Sequence, residues 1–222
     1  MESLRNRLIV SCQAAPGDPL DHTDTLVRIA ASVLRGGAAG LRAEGVEHIV
    51  AFRAITDCPI IGIIKTYDRN GDVYITPDFK SARAVGDAGA DIVALDCTRR
   101  RLIEDEHWKD LIPRIQGELG VPVCADIATL EDAIAAETAG ADVVATTLCG
   151  YTSETAGIRT VCWPLIESLI ARLKVPVIVE GHVTQAQEVR RALDMGAYSV
   201  VVGSAITRPE TITARFVEAT KS

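Results

Sequence analysis

The chain has 222 residues, of which 48% are hydrophobic and only 4% aromatic, and its formal net charge at pH 7 is -7. A core of Ala, Val, Ile and Leu suits parallel strands that are buried on both faces. The basic residues are scattered along the chain, which argues against nucleic acid as a partner. No apolar stretch approaches the roughly 18 residues of a membrane span. We therefore expect a cytoplasmic protein with a small-molecule partner and no membrane contact.

Eight short apolar runs follow one another along the chain and predict eight strands. Each run is short enough for one pass through a barrel or sheet, and helix-length segments separate most of them. In chain order, the predicted strands are Leu8–Cys12, Ala39–Leu41, Ile60–Ile64, Ile92–Leu95, Val121–Ala125, Val143–Ala145, Val175–Val179 and Ser199–Val202.

Residues with a period of 3.6 predict helices between these strands. The clearest are Thr25–Leu34, Asp78–Ala88, Leu130–Ala139, Leu165–Leu173 and Gln185–Met195. Thr129 and Thr184 are predicted N-caps, since each is followed closely by Glu or Gln. Two long segments have no regular pattern, and both follow strands, where catalytic loops of a barrel belong. They are Tyr67–Thr76 and Leu148–Val161.

A Gly-Ala pair recurs at intervals of roughly 50 residues, each time closing a helical pattern and opening a strand. The pairs are Gly37-Ala38, Gly89-Ala90, Gly140-Ala141 and Gly196-Ala197. A glycine there can take the left-handed conformation that ends a helix. Because one βα unit takes about 25 to 30 residues, each repeat corresponds to two units, and four repeats account for eight. The sequence predicts a single (β/α)8 barrel domain over residues 1–222. An open doubly wound sheet is the alternative, but the Gly-x-Gly-x-x-Gly of its dinucleotide-binding version is missing after the first strand.

A polar residue or a glycine follows nearly every predicted strand. In a β/α barrel the carboxyl ends of the strands meet at one mouth, where active sites form. Any single one could be a capping or solvated residue, but eight in register favour a functional site. The strand ends read Gln13, Arg42, Lys65, Asp96, Asp126, Thr146-Thr147, Glu180 and Gly203-Ser204.

Lys65 and Glu180 are the candidates for acid/base chemistry. Lys65 follows the apolar run Ile60–Ile64, so burial and a neighbouring Arg would lower the pKa of its amine toward a value useful for proton transfer. Glu180 follows Val177–Val179 on another part of the ring. An amine and a carboxylate that face each other across a pocket form a natural acid/base pair, and a plain buried ion pair is the alternative.

A phosphate site is predicted beside the last two strands. Gly181 and Gly203-Ser204 supply backbone N–H groups at the position where many barrels bind phosphate. Arg208 follows closely and could hold a phosphate monoester with its guanidinium. Alternatively, Gly203 only permits a tight turn and Pro209 begins the last helix.

The remaining polar residues give weaker signals. The six cysteines form no Cys-x-x-Cys pair and no Cys/His cluster at zinc-ligand spacing, so we expect packing residues and no metal site. His182 lies beside the predicted site, where a position that merely lines the site is the alternative to a functional role. The charged runs Arg99–Arg101 and Glu104–Glu106 predict a solvated loop and a helix start, with a ligand contact from Arg99 as the alternative.

A series of short motifs carries a resemblance to a known family. Together and in this order, they resemble the bacterial N-acetylmannosamine-6-phosphate 2-epimerases over essentially the whole chain. Cys149 stands where that family often has Ser, and Arg100-Arg101 replace a more proline-rich turn. The motifs are Cys12-Gln13-Ala14, Gly37–Ala43, Ile61–Lys65, Val73–Pro77, Ala125–Ile127, Thr146–Thr152, Glu180–His182 and Val201–Pro209.

The resemblance implies the fold and an activity without metal or organic cofactor, namely inversion of C2 of N-acetylmannosamine 6-phosphate in sialic acid and amino-sugar catabolism. It implies that Lys65 is the catalytic base, with Glu180 and Asp126 around the reacting carbon. It further places Gln13 and Arg42 on the ligand and Arg208 near the phosphate. A homodimer is considered as its assembly.

Two other functions stay open. The barrel lysine could form a Schiff base, as in aldolases and lyases, or serve another sugar-phosphate isomerisation. The chain could also be a ligand-binding regulator that has lost turnover, although intact Lys65 and Glu180 argue against this.

Overall fold

In the computed structural model, which describes residues 1–100 and 107–221, eight parallel strands close into a barrel. A further pair of short strands forms a separate hairpin. The strands are β1 (Arg7–Cys12), β2 (Gly40–Glu44), β3 (Ile60–Ile63), β4 (Lys65–Tyr67), β5 (Val73–Ile75), β6 (Ile92–Asp96), β7 (Val123–Asp126), β8 (Val143–Ala145), β9 (Val177–Val179) and β10 (Ser199–Val202). Around the ring the order is β1-β2-β3-β6-β7-β8-β9-β10, and β10 pairs with β1 in the register Arg7↔Ser199.

Helices connect these strands. They are α1 (Thr23–Arg35), α2 (Val46–Arg53), α3 (Phe79–Asp87), α4 (Trp108–Leu119), α5 (Leu130–Thr138), α6 (Trp163–Arg172), α7 (Ala186–Asp194), α8 (Ser204–Thr207) and α9 (Pro209–Glu218). In the described part of the chain, none of them has the length and apolar character needed to cross a membrane. The predicted helix start at Glu104–Glu106 falls outside the described residues.

The eight predicted barrel strands are confirmed, with shifts at their ends. The largest extension concerns β2, which continues past Leu41 to Glu44, so Arg42 lies inside a strand rather than after one. Lys65 does not directly end β3, which stops at Ile63. Instead it begins β4.

The four Gly-Ala pairs end helices as predicted. Their glycines have φ values of 99°, 98°, 96° and 105° in chain order. After each one, the alanine amide donates to a carbonyl five residues back, as in Ala141 N to Ala136 O at 3.0 Å. This is the hydrogen bond that completes a left-handed helix terminus.

The core has two layers because residues along a strand alternate between the two faces of the barrel wall. Ile9, Ile61, Ile92, Val143, Ile178 and Val201 pack together inside the ring. Their neighbours Val10, Leu41, Val93, Val144 and Val177 pack outward against the helices. By the same alternation, the strand residues two positions beyond this inner layer point toward the mouth of the barrel. This places their side chains at the site.

Two local expectations are wrong. The ends of the segment Tyr67–Thr76 are not irregular, because β4 and β5 pair antiparallel across a turn in which the Asp68 carboxylate accepts the amides of Asn70 and Asp72. The N-cap of α7 is Gln185 rather than Thr184. Thr184 instead donates its amide to the Glu188 carboxylate at 2.7 Å. Thr129 is the N-cap of α5, as predicted, in a capping box with Asp132.

Candidate active site

A cavity of about 440 Å³ opens at the carboxyl ends of the barrel strands. Eight of the nine predicted site residues line it: Gln13, Arg42, Lys65, Glu180, Gly181, Gly203, Ser204 and Arg208. The ninth, Asp126, has a fully buried side chain and lies behind Arg42 and Thr147. The structure therefore brings the predicted residues together and places one of them below the cavity surface.

Arg42 lies at the bottom of the cavity with a fully buried side chain. Its Nη2 donates to Asp126 Oδ2 at 2.5 Å, and its Nη1 donates to Asp126 Oδ1 at 3.0 Å and to Glu180 Oε2 at 2.6 Å. Burial by itself would lower the pKa of this guanidinium, but the two carboxylates outweigh it and raise that pKa. Both terminal nitrogens are thus engaged by protein groups, and Arg42 joins the two carboxylates more than it faces the cavity.

Glu180 extends into the cavity from the end of β9, with its side chain 12% exposed. Its backbone is held by the Thr146 hydroxyl, which accepts from Glu180 N at 3.0 Å and donates to Glu180 O at 2.7 Å. Burial raises the pKa of the carboxyl group, and nearby Asp126 raises it further, while Arg42 opposes them. A carboxyl group with a raised pKa can exchange protons nearer to neutral pH.

Lys65 begins β4 and lies half-buried in the cavity wall. Burial is the main cause that lowers the pKa of its amine, and the positive charges of Arg42 and Arg208 act in the same direction. Glu44 opposes this shift, as does Glu180. A lysine with a lowered pKa carries more free amine at neutral pH, which is the form that can remove a proton.

The outer part of the cavity is positively charged. Arg208 is partly exposed and has an ion pair with Asp18 at 3.8 Å. Arg159 and Arg215 also line the cavity and are exposed, with hydrogen bonds from Arg159 to Gly150 O and from Arg215 to Thr184 O. Three guanidinium groups around one opening favour an anionic ligand.

Four residues that line the cavity were not assigned a role there from the sequence: Thr147, Tyr151, Arg159 and Arg215. Thr147 was predicted only as one member of the strand-end pair Thr146-Thr147. Arg159 lies in a loop, and Arg215 lies in the last helix. Tyr151 stacks on His182, with ring centroids 5.1 Å apart, and both line the cavity. Spacing along the chain gave no signal for the arginines, but the alternation of strand residues could have separated Thr147 from Thr146.

Two weaker candidates have other partners. Asp96, at the end of β6, pairs with Arg100 at 2.8 Å and accepts a hydrogen bond from the Thr98 hydroxyl, and it is not among the residues that line the cavity. Arg99 is exposed and contacts Glu154 at 3.5 Å. Neither residue is placed to contact a ligand in the cavity.

In the described part of the chain, no group of three or more His, Cys, Asp or Glu side chains is arranged to hold an ion. All six cysteines lie in this part and are free thiols. Cys149 lies in the wall behind the cavity, where burial raises the pKa of its thiol to about 12. Its carbonyl accepts a hydrogen bond from His182 Nε2 at 3.1 Å.

Comparison with solved structures supports both fold and family. The structure described as "Structural and biochemical characterization of the N-acetylmannosamine-6-phosphate 2-epimerase from Clostridium perfringens" matches with a TM-score of 0.94 and 41% identity, covering 98% of this chain and 95% of that one. A thiamine phosphate pyrophosphorylase from Pyrococcus furiosus matches with a TM-score of 0.64 over 99% of both chains, but at 18% identity it shows the fold alone.

Sequence comparison gives the same family. The family model "Putative N-acetylmannosamine-6-phosphate epimerase" matches residues 26–222. A protein of Clostridium perfringens (strain SM101 / Type A), named "Putative N-acetylmannosamine-6-phosphate 2-epimerase", is 42% identical over 100% of both chains. A protein of Synechococcus elongatus with the same name is 47% identical over 93% of this chain and 90% of its own. The resemblance inferred from the motifs is confirmed, and the chain belongs to the N-acetylmannosamine-6-phosphate 2-epimerase family.

Proposed function

We propose that this chain inverts C2 of N-acetylmannosamine 6-phosphate to give N-acetylglucosamine 6-phosphate, in amino-sugar and sialic acid catabolism. The observation that carries the proposal is the joint placement of Lys65 and Glu180 in one cavity whose opening is lined by arginines. This arrangement combines groups that can move a proton with groups that can hold a phosphate. Family membership supports the same activity.

The chemistry begins with the open form of the sugar. Its C1 aldehyde acidifies the neighbouring C2–H bond, so a base can remove that proton and leave an enolate-like intermediate. We assign this step to the free amine of Lys65, because burial already lowers the pKa of the amine. The Lys65 ammonium then returns a proton to the opposite face of the planar C2, once the intermediate has turned that face toward it, which completes the inversion and restores the free amine. No metal or organic cofactor is needed for these steps.

Glu180 is proposed to act beside the reacting carbon, through the part of its carboxylate that faces the cavity. Asp126 and Arg42 act from below, since their ion pair is fully buried and holds Glu180 from one side. Gln13 lines the cavity and donates to Ser11 Oγ at 2.9 Å, which orients its amide for a polar ligand group. Groups placed in advance stabilise developing charge without reorganising during the reaction.

The phosphate is proposed to bind between the ends of β9 and β10. Gly181, Gly203 and Ser204 line this part of the cavity and supply backbone N–H groups there, and Arg208 adds a guanidinium. Gly181 has a φ of 99°, which favours glycine, so the chain can turn at this point without strain. Binding energy from the phosphate would hold the sugar while C2 changes geometry.

Three wider proposals accompany this function. We propose that residues 1–222 act as one domain, since residues from β1 to α9 contribute to a single cavity. A cytoplasmic location is supported by six free cysteines, which suit a reducing compartment.

A homodimer is supported by exposed apolar side chains near the end of the chain, Phe216 at 73% and Val217 at 50%. Light scattering of the wild type and of Phe216→Glu tests the dimer, which the charged residue should dissociate.

A turnover assay tests the activity itself. Incubation of the protein with N-acetylmannosamine 6-phosphate should produce N-acetylglucosamine 6-phosphate, followed by ¹H NMR of the anomeric protons. Absence of product would refute the proposal. Borohydride added with substrate should leave no covalent adduct on Lys65, whereas a trapped adduct seen by mass spectrometry would indicate Schiff-base chemistry.

A further inference from the structure

Thr147 lies two residues beyond the end of β8, and its hydroxyl lies among three buried charged groups. Its single hydroxyl proton is shared between Asp126 Oδ1, 2.5 Å from Oγ1, and Glu180 Oε2, 3.2 Å from Oγ1, and Oγ1 accepts from Arg42 Nη1 at 3.4 Å. One neutral side chain therefore contacts every charged member of the network at the bottom of the cavity.

The neighbouring threonine has a different task. Among the residues that the structure describes, the Thr146 hydroxyl hydrogen-bonds only to the backbone of Glu180, through its N–H and its carbonyl. Thr147, whose side chain emerges on the opposite face of the chain, contacts the carboxylate instead. Two consecutive residues thus hold both the backbone and the side chain of Glu180.

The contacts of the Glu180 carboxylate are unequal. Arg42 and Thr147 both contact Oε2, and within the described ranges no hydrogen bond reaches Oε1. The side chain nevertheless lines the cavity and is 12% exposed. One carboxylate oxygen is therefore anchored, while the other is left for a ligand.

We propose that Thr147 is a positioning residue for the epimerisation: its hydroxyl, together with Arg42, fixes Oε2 of Glu180 so that Oε1 faces the reacting carbon. The inference rests on the proposed function, since that reaction requires an oriented Glu180.

Charge balance explains why a hydroxyl is needed there. Arg42 supplies one positive charge to two buried carboxylates, so the network retains excess negative charge. Burial and Asp126 raise the pKa of Glu180, whereas Arg42 and the hydrogen bond from Thr147 lower it. A donor that stabilises the ionised carboxylate keeps it charged at a lower pH. The titratable and charged groups around Glu180 are Arg42, Lys65, Asp126, Tyr151 and Cys124.

Two substitutions, Thr147→Val and Thr147→Ser, separate the effect of the hydroxyl from the effect of the side-chain shape. Val keeps the branched side chain and removes the hydroxyl, while Ser keeps the hydroxyl. We expect kcat/KM to fall on the order of tenfold or more in the Val variant, as for loss of a hydrogen bond to a charged group, and Ser to restore most of it. The acidic limb of the pH profile should move to higher pH in Val, because the pKa of Glu180 rises. Thr147→Ala replaces Val if Val does not fold.

Thr98→Val is the matched control. Thr98 is buried and donates its hydroxyl to the Asp96 carboxylate at 2.7 Å, but neither residue is among those that line the cavity. Thr98→Val likewise removes a hydroxyl that is bound to a buried carboxylate, but it should leave the pH profile of kcat/KM unchanged. An equal shift in both variants would mean that the effect is general destabilisation, which overturns the proposal.

Two measurements decide the mechanism. In a Glu180→Gln background, Thr147→Val should change kcat/KM by less than about twofold, because the two residues act as a unit. An undiminished effect there would mean that Thr147 acts without Glu180. Carboxyl ¹³C NMR without substrate then follows Glu180, identified by the signal missing from Glu180→Gln. Its pKa should be higher in Thr147→Val than in the wild type, and an unchanged pKa refutes the positioning contact. This titration holds even if the turnover assay refutes the proposed reaction.

Discussion

The bottom and the opening of the cavity use charge in opposite ways. At the bottom, the ion pair of Arg42 and Asp126 is fully buried and Glu180 is nearly so, with contacts between 2.5 and 3.0 Å. At the opening, Arg208 is 29% exposed and its ion pair with Asp18 is 3.8 Å long. Buried charges are stable only when paired with good geometry, whereas exposed ones can be left to bind a ligand. In the proposed function, rigid pairing therefore serves the chemical step and adaptable charge holds the phosphate.

The largest expected effect concerns Lys65, the proposed proton carrier. Lys65→Met keeps the apolar stem and removes the amine, so turnover should fall by 10²–10⁴-fold or more. Wild-type enzyme in deuterated water should place deuterium at C2 of the product, and the variant should show neither exchange nor inversion by NMR. It should still bind the sugar phosphate in calorimetry. If the variant kept C2 exchange without net inversion, Glu180 or Asp126 would remove the proton on one face.

Next in size is the stability of the bottom network. Arg42→Met leaves Asp126 and Glu180 buried without their cation, and such a change costs about 3–5 kcal/mol. Urea unfolding monitored by circular dichroism should show this loss, whereas Arg208→Ala should alter the free energy of unfolding by only about 0.5 kcal/mol. Equal stability of the two variants would remove the distinction between bottom and opening.

Glu180→Gln should affect the rate rather than the structure. The amide keeps the shape and most hydrogen bonds but removes the charge, so we expect kcat to fall on the order of 10²-fold with little change in ligand affinity. Steady-state kinetics and calorimetry measure the two quantities separately. Near-wild-type turnover would assign Glu180 a purely structural role.

The smallest effect is expected at the opening. Arg208→Ala should raise KM far more than it lowers kcat, because a phosphate contact is the same in substrate and transition state. Loss of a charge-assisted hydrogen bond costs about 1.5–3 kcal/mol. The non-phosphorylated sugar should be a poor substrate for the same reason. An unchanged KM, or efficient turnover of that sugar, would place the phosphate elsewhere.

Much of the barrel was predictable because its signals are local. Short apolar runs mark the strands, and the Gly-Ala pairs mark helix ends through a backbone conformation that glycine adopts easily. The hairpin of β4 and β5 escaped because each strand has only three residues and the Lys-Thr-Tyr of β4 lacks an apolar run. Thr184 failed as an N-cap because Gln185 forms the capping box one residue later.

The site was predictable to the extent that strand alternation aims residues at the mouth. Arg42, Lys65, Glu180 and Gly203 each stand two residues beyond an inward-facing position, and all four line the cavity. Asp126 obeys the same rule, but Arg42 covers it. This covering results from packing between distant parts of the chain, so the strand pattern could not predict it. Arg159 and Arg215 reach the cavity from a loop and a helix, for which no strand pattern exists.

The pairing of β1 with β10 has a consequence for biosynthesis. Closure joins Arg7 to Ser199, and the Tyr198 hydroxyl donates to the Met1 carbonyl at 2.8 Å. A ribosome makes the chain from its N-terminus, so β1 must wait until synthesis has passed β10 before its second neighbour emerges. Until then the edges of β1 and β9 are open to pairing with other chains, and chaperones have their longest opportunity to act. Since Gln13 follows β1 and Ser204 follows β10, the cavity is complete only after this last pairing.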